Sequence, residues 1–569
     1  MFRTRYLDFQ ELDAQLEAWA ARRPDIVRKT SLGTTPEGRA IPLLLIGREP
    51  DRPRPAVWVD GNMHAGELCG SSVALAIAED VIAIHEGRDE AGGKPLSAAA
   101  CEALRDAHVY VLPRMAPDGA ERVLKVGRYV RSSPLDDRAV RGHPHWEATD
   151  VDGDGHAGVM RRVEPDGELV ELRDEHGVTL DPPVLVPRAP DDDGPYYKLY
   201  PEGFIANHDG RSVPDPYFLS DNPYDFNRNF PHGWVPEPDQ AGAGRYPGSA
   251  PETRAVLDFA TRHPNIFAWL NLHTFGGVLI RPLGDAPDSK MNPGDLAIFE
   301  QVEAWMAEHA GYPTVSGFHE FLYEPEKPLH GDVVDFAYRE RGALAYAVEL
   351  WDLFHQLGIE RRKPFVDHYS KLTRKDFLAL ARFDREQNQG RIFRTWTRFA
   401  HPQLGDVELH GFDPRIGIWN PPYERLDEVC RAQSAAFLRV ASLVPRIRVE
   451  VVATETSGDI TRTELRIVNR GYLGTYGLPS AKTLPVAEPL RLMTTCDGAK
   501  LVAPATSIVE LGHLEGWGAG LHGGPSIFMP WTRGSGHEAH VTLVTQGRGT
   551  LHARIGSARV GFQELRLAV

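Results

Sequence analysis

Five short apolar runs constrain this chain more than any other feature. Residues 39–47 (RAIPLLLIG), 56–61 (AVWVDG), 107–113 (AHVYVLP), 266–274 (IFAWLNLHT) and 343–351 (ALAYAVELW) are each about one strand long and apolar almost throughout. A strand that is apolar on both faces must be covered on both faces, which is the condition of a parallel sheet flanked by helices. The intervening segments supply those helices. Residues 67–87 (ELCGSSVALAIAEDVIAIHEG) follow the second run directly, and Leu12, Leu16 and Trp19 recur at helical spacing near the start. The alternation predicts an α/β fold with a mixed, largely parallel sheet. It also says where chemistry belongs: ligands of such sheets bind beyond the carboxyl ends of the strands.

Two segments break this rhythm. Residues 132 to about 223 are rich in Asp, Gly, Pro and His and read as a long insertion with its own local order. From residue 446 to 569, runs such as RIRVEVVATE and ITRTELRIVNRG alternate polar and apolar residues, which predicts an all-β sandwich. The expected organisation is an α/β domain over 1–394, a bridging segment over 395–445 and a β-sandwich accessory domain over 446–569.

Charge and cysteine usage exclude some classes. With 79 acidic against 63 basic residues the formal charge is −16, which argues against nucleic acid or anionic lipid as a partner held by bulk charge. No apolar stretch approaches the ~20 residues of a membrane-spanning helix. The amphipathic N-terminus lacks the apolar core of a signal peptide. Cys69, Cys101, Cys430 and Cys496 form no C-x-x-C pair and are too few for a disulfide framework. A cytoplasmic protein with free thiols is expected.

Four places carry residues suited to chemistry. His64 and Glu67 sit just past the run at 56–61. Three apart where a helix opens, they can face one point as a two-ligand clip for zinc, which accepts nitrogen and oxygen donors. Taken alone, the pair reads more readily as a surface histidine and a helix-start glutamate that favours the helix dipole. His273 ends the run at 266–274 before a Gly-Gly pair and is the best third ligand, or else a core histidine. Glu349 interrupts the run at 343–351. A carboxylate there is either half of a buried ion pair or a general base with a raised pKa. Asn227 and Arg228, in FNRNF, offer an amide beside a fork-shaped cation that suits a carboxylate, or a surface salt bridge.

Together these residues resemble the zinc carboxypeptidases related to the pancreatic enzymes. HAGE at 64–67, PDG at 117–119, RYVR at 128–131, NR at 227–228, His273, DFAY at 335–338 and Glu349 follow the family's order, and PET appears at 251–253. The 14-residue step from Asp335 to Glu349 and the 12-residue step from Gly119 to Arg131 are also the family's. The resemblance covers about residues 5 to 390 apart from the insertion, and implies the carboxypeptidase-like fold. It further implies that His64, Glu67 and His273 bind Zn2+, that Glu349 is general base and proton donor, that Arg131 stabilises the oxyanion, and that Asn227 and Arg228 hold a peptide's free C-terminal carboxylate. Val334 then lies at the floor of the side-chain pocket, which predicts an apolar or aromatic preference, with Asp332 as the nearby acid that would reverse it. The implied activity is removal of a C-terminal residue. A peptidoglycan-peptide or side-chain amide hydrolase, or a binding protein on a degenerate peptidase scaffold, are the alternatives. Two features depart from the family: Lys327 stands where it often has a mobile tyrosine, with Tyr323 nearby, and the family requires neither the 132–223 insertion nor the C-terminal β domain. Within the insertion, DVDGDG at 150–155 copies the first half of a calcium loop through Asp150, Asp152 and Asp154, but Arg161 stands where the closing Glu belongs, so the segment is either a calcium site or an Asp/Gly turn.

Overall fold

The computed structural model describes residues 1–136, 142–216, 223–324, 327–520 and 534–569. All five apolar runs form strands, and three further strands join them in one sheet. In chain order these are β1 (Val27–Thr34), β2 (Ala40–Ile46), β3 (Ala56–Gly61), β4 (His108–Leu112), β5 (Ile266–Thr274), β6 (Val278–Arg281), β7 (Thr314–Ser316) and β8 (Leu344–Leu350). Their spatial order is β1-β2-β4-β3-β5-β8-β6-β7. The four central strands β4, β3, β5 and β8 are parallel, while β2 meets β4 and β6 meets β8 antiparallel. The helices used below are α1 (Cys69–His85), α2 (Pro251–Arg262), α3 (Pro293–Ala310), α4 (Val333–Arg339) and α5 (Tyr423–Ala441).

Successive residues of a strand point to opposite faces, so each continuous apolar run feeds two cores. Val57, Val59, Leu270, Leu272 and Val348 join the core that contains α1, α3 and α5. Trp58, Tyr110, Trp269, Ala345 and Ala347 join a second core with Phe259 of α2 and Phe336 of α4. At the end of β3, Gly61 meets Gly70 backbone to backbone, and a Cβ on Gly61 would lie 2.5 Å from the Gly70 carbonyl. This contact sets the first turn of α1 tightly against the strand end.

The insertion and the segment after the α/β core share a sheet. Its order is Leu185–Pro187, Leu169–Glu171, Tyr197–Pro201, Val159–Val163, Gly405–Leu409 and Thr397–His401, with antiparallel pairing throughout. Arg161 ties the two halves together, with its guanidinium 2.7 Å from Glu408 and 3.0 Å from Glu171.

The C-terminal strands form two four-stranded antiparallel sheets. One orders Ile447–Ser457, Ile460–Asn469, Glu538–Gln546 and Lys500–Ala503; the other orders Ile508–Gly512, Leu490–Asp497, Thr550–Ser557 and Gly561–Ala568. Leu465, Ile467 and Leu543 of the first share a core with Leu492, Leu551 and Ile555 of the second, and that core is continuous with the α1 side of the central sheet. Arg559 crosses the boundary. It is fully buried, lies 4.6 Å over the Phe267 ring and donates to the carbonyls of Arg341 and Gly342 at 3.0 and 3.2 Å. Trp305 of α3 meets Tyr472 edge-on at 5.5 Å, and Asp295 of α3 accepts from the Ser480 amide at 3.1 Å. The four cysteines are unpaired. Among the described residues no helix is long and apolar enough to cross a membrane.

Candidate metal centre and substrate cleft

Register in the central sheet brings the sequence candidates together. His273 on β5 lies directly beside Glu349 on β8, and two residues earlier Asn271 lies beside Asp60 on β3. Asn271 and His273 share one face of β5 because they are two apart. His64 and Glu67 come from the turn that leads β3 into α1. In that turn Asn62 adopts φ 56° and donates through its side chain to the carbonyls of His64 and Ala65 at 2.7 and 3.1 Å.

Three buried side chains converge. His64 Nδ1 is 2.8 Å from Glu67 Oε1, His273 Nδ1 is 3.0 Å from Glu67 Oε2, and the two Nδ1 atoms are 3.1 Å apart. The outer ring nitrogens are engaged elsewhere: His64 Nε2 lies 3.1 Å from Asp225, and His273 Nε2 bonds the Asn271 side-chain oxygen. Outer partners of this kind fix which nitrogen turns inward. Two inward imidazole nitrogens facing each other beside a carboxylate suit a cation at their centre, and a two-nitrogen, one-oxygen set fits zinc. Behind His273 the chain of contacts continues: Asn271 donates to Asp60, which also accepts from the Trp58 and Trp269 indoles at 2.7 and 2.8 Å. Burial pushes the Asp60 carboxyl up to about 6 despite these bonds.

The turn holding His64 and Glu67 is braced from two distant places. The Ala65 amide donates to the Arg131 carbonyl at 2.7 Å, so the backbone that carries Arg131 is fastened to the metal clip. Asn420 accepts from the Cys69 amide at 2.8 Å and donates to the Gly66 carbonyl at 2.7 Å. Trp419 packs on Gly66 so closely that a Cβ there would lie 2.9 Å from the indole. The Gly of the PDG motif has a similar role, since a Cβ on Gly119 would strike the Ser132 carbonyl. The aspartate of the motif accepts from Thr35 at 2.7 Å and from the Glu37 amide at 2.9 Å.

The other candidates line one cleft in front of these donors. Its walls include His64, Arg131, Asn227, Arg228, His273, Tyr323, Val334 and Glu349. Arg131 donates from Nε to Asp225 at 2.8 Å and lies 3.6 Å from Glu67. Burial alone would raise Asp225, but Arg131 and His64 outweigh it and hold the carboxyl well below the usual range. The Asn227 side chain accepts from the Val333 amide at 3.0 Å, and Arg228 donates to the Asn227 carbonyl at 2.6 Å. Burial is the strongest influence on Glu349. Glu67 adds to it, His273 and Arg131 oppose it, and the carboxyl is pushed up to about 8. Tyr323 stands at the rim, 58% exposed, and borders the cleft where Lys327 faces its outer side.

Sequence reading missed Asp225, Asn271, Asp60 and Asn420. Asp60 and Asn271 did leave a signal, as polar residues inside apolar runs. Asp225 and Asn420 left none, because their partners lie 161 and 354 residues away. At the DVDGDG loop, Asp152 approaches His410 at 2.8 Å, while both Asp150 oxygens accept from loop amides, Gly153 and Gly155, at 2.7 Å. Asp225→Asn is expected to weaken zinc binding by about 10- to 100-fold, because His64 loses the charge that orients it; chelator competition measures this.

Known proteins align with this picture. The zinc carboxypeptidase family profile matches residues 12–152 and 210–360, just over half the chain, and so skips most of the insertion. Residues 446–568 match a domain of unknown function. Carboxypeptidase B of Astacus astacus is 24% identical over 180 residues, which are 30% of this chain and 55% of that protein. Carboxypeptidase A4 of Mus musculus is 20% identical over 358 residues, 61% of this chain and 63% of that protein. The chain thus spans little more than half the length of these curated relatives. Among solved structures, thrombin activatable fibrinolysis inhibitor is similar at 16% identity and a TM-score of 0.41, over 77% of this chain and 74% of that one. The chain belongs to the zinc carboxypeptidase family. Its cofactor is zinc, in keeping with the family and with the donor set described above.

Proposed function

We propose that the protein is a zinc-dependent metallocarboxypeptidase that hydrolyses the C-terminal peptide bond of peptides. One observation carries this reading: a buried His64–Glu67–His273 donor set opens onto a cleft that holds both a carboxylate of raised pKa, Glu349, and two arginines, Arg131 and Arg228. His64, Glu67 and His273 would hold the zinc, which would supply Lewis acidity and lower the pKa of water in the cleft. Glu349 accepts the proton of the attacking water and passes it to the leaving amine. Arg131, held by Asp225, presents its remaining donors to the negative charge that develops on the scissile carbonyl oxygen, where one such donor is worth about 3–4 kcal/mol. Arg228, with Asn227, holds the terminal carboxylate of the substrate and so restricts cleavage to the last bond.

The test is chemical. Amidating the C-terminus of a peptide substrate is expected to lower kcat/KM by at least about a hundredfold, since a partly buried arginine is left without its anion. Matched free-acid and amide peptides compared by product chromatography measure the effect. Equal cleavage of both would exclude the exopeptidase reading and point to an endopeptidase or amidase.

A further inference from the structure

Three segments meet where the α/β core joins the C-terminal sheets: residues 49–55 before β3, residues 444–448 after α5, and residues 560–564. They enclose a cavity of about 440 Å³, within the size range of sites for small organic molecules. The cavity lies at the far end of the sheet from the metal centre. β3 begins at Ala56, next to the cavity, and ends at Gly61, next to the turn that bears His64 and Glu67. Six residues at about 3.3 Å each put roughly 20 Å between the two places. The walls fit closely: a Cβ on Gly561 would strike the Pro53 carbonyl, and the Gln563 side chain donates to the Ile447 carbonyl.

Two arginines in these walls have donors to spare. Arg446, with a side chain only 10% exposed, is held through one terminal nitrogen by Glu102 at 2.8 Å and Asp106 at 3.3 Å. Arg54 is held by Glu49. These acids fix both guanidinium groups, yet the Nε of each is buried and finds no acceptor among the described residues. Arg52 and Arg448 line the more exposed side, where Arg52 lies 3.5 Å from Glu49 and Arg448 lies 3.3 Å from Glu102. A guanidinium carries five N–H donors, so three shared carboxylates leave several of them unused. Apolar surface completes the cavity through Ile555, Val560 and Phe562, and the Arg554 guanidinium lies 4.0 Å over the Phe562 ring.

Buried N–H groups without acceptors are costly, and two in the walls of one cavity call for an acceptor from outside. Guanidinium forks match carboxylates and phosphates. An inorganic ion, no larger than a few waters, would leave most of the volume empty. We propose that this joint is a binding site for a small organic anion, a carboxylate or a phosphate ester, with its charge on Arg54 and Arg446 and its apolar body against Phe562. The site is separate from the substrate cleft and does not depend on the reaction proposed above.

Calorimetric titration of the zinc-loaded full chain with benzoate and with phenylphosphate tests this. Each probe joins one aromatic ring to one of the two anionic groups, so the tighter of them identifies carboxylate or phosphate. At least one is expected to bind, and Arg54→Gln or Arg446→Lys is expected to raise its Kd by about tenfold or more, because a charge-assisted hydrogen bond is lost. Circular dichroism shows whether each variant folds. If Arg446→Lys does not, Arg54→Gln decides alone, since the Arg54 side chain is 28% exposed and tolerates exchange better. Failure of both probes to bind would overturn the proposal. So would binding that is unchanged in Arg54→Gln, which would place the anion in the substrate cleft beside Arg131 and Arg228.

Discussion

Glu349→Gln is expected to lower kcat by at least about a hundredfold while zinc content stays at that of the wild type. Glutamine keeps the shape of the side chain on β8 but cannot accept a proton. Zinc stays because Glu349 is outside the converging set formed by His64, Glu67 and His273. His273→Ala serves as the contrast and should lose metal and activity together. Metal analysis by emission spectroscopy, run beside single-turnover kinetics, separates the two cases. A Glu349→Gln enzyme that keeps more than about a tenth of wild-type kcat would remove Glu349 from the role of base, since general-base catalysis is worth about 10²-fold or more.

Ending the chain at residue 445 is expected to abolish soluble folded protein. The C-terminal sheets look like an appendage in sequence, yet their core is continuous with that of the α/β sheet. Removing them uncovers Trp305 where Tyr472 packed and Phe267 where Arg559 lay, and takes the Ser480 amide from Asp295. Fully exposing one large apolar side chain costs about 1.5–3 kcal/mol. A few such losses match the whole net stability of a typical domain, about 5–15 kcal/mol. Expression with thermal unfolding followed by circular dichroism checks this. A truncated chain that unfolds cooperatively at the full-length temperature would show that the β domain is separable.

Much of the fold and of the site was legible because both are written in local pattern. Continuous apolar runs identify buried strands, and His273, Glu349, His64 and Glu67 stand out as polar residues at or just past the ends of such runs. What was illegible depends on pairing across distance. The six-stranded sheet joins strands of three to five residues from the insertion to two more beyond residue 396, and runs that short carry no clear period. Asp225 orients both His64 and Arg131, but nothing in its own surroundings marks it. Val334 and Asp332, both named from the sequence, line the cleft together with Asp335.

The brace at Asn420 has a consequence for biosynthesis. The turn bearing His64 and Glu67 leaves the ribosome early, whereas the residues that clamp it, Trp419 and Asn420, emerge more than 350 positions later. Throughout most of translation the turn bearing His64 and Glu67 therefore lacks its final support, and the donor set is braced only once nearly three-quarters of the polypeptide has been made.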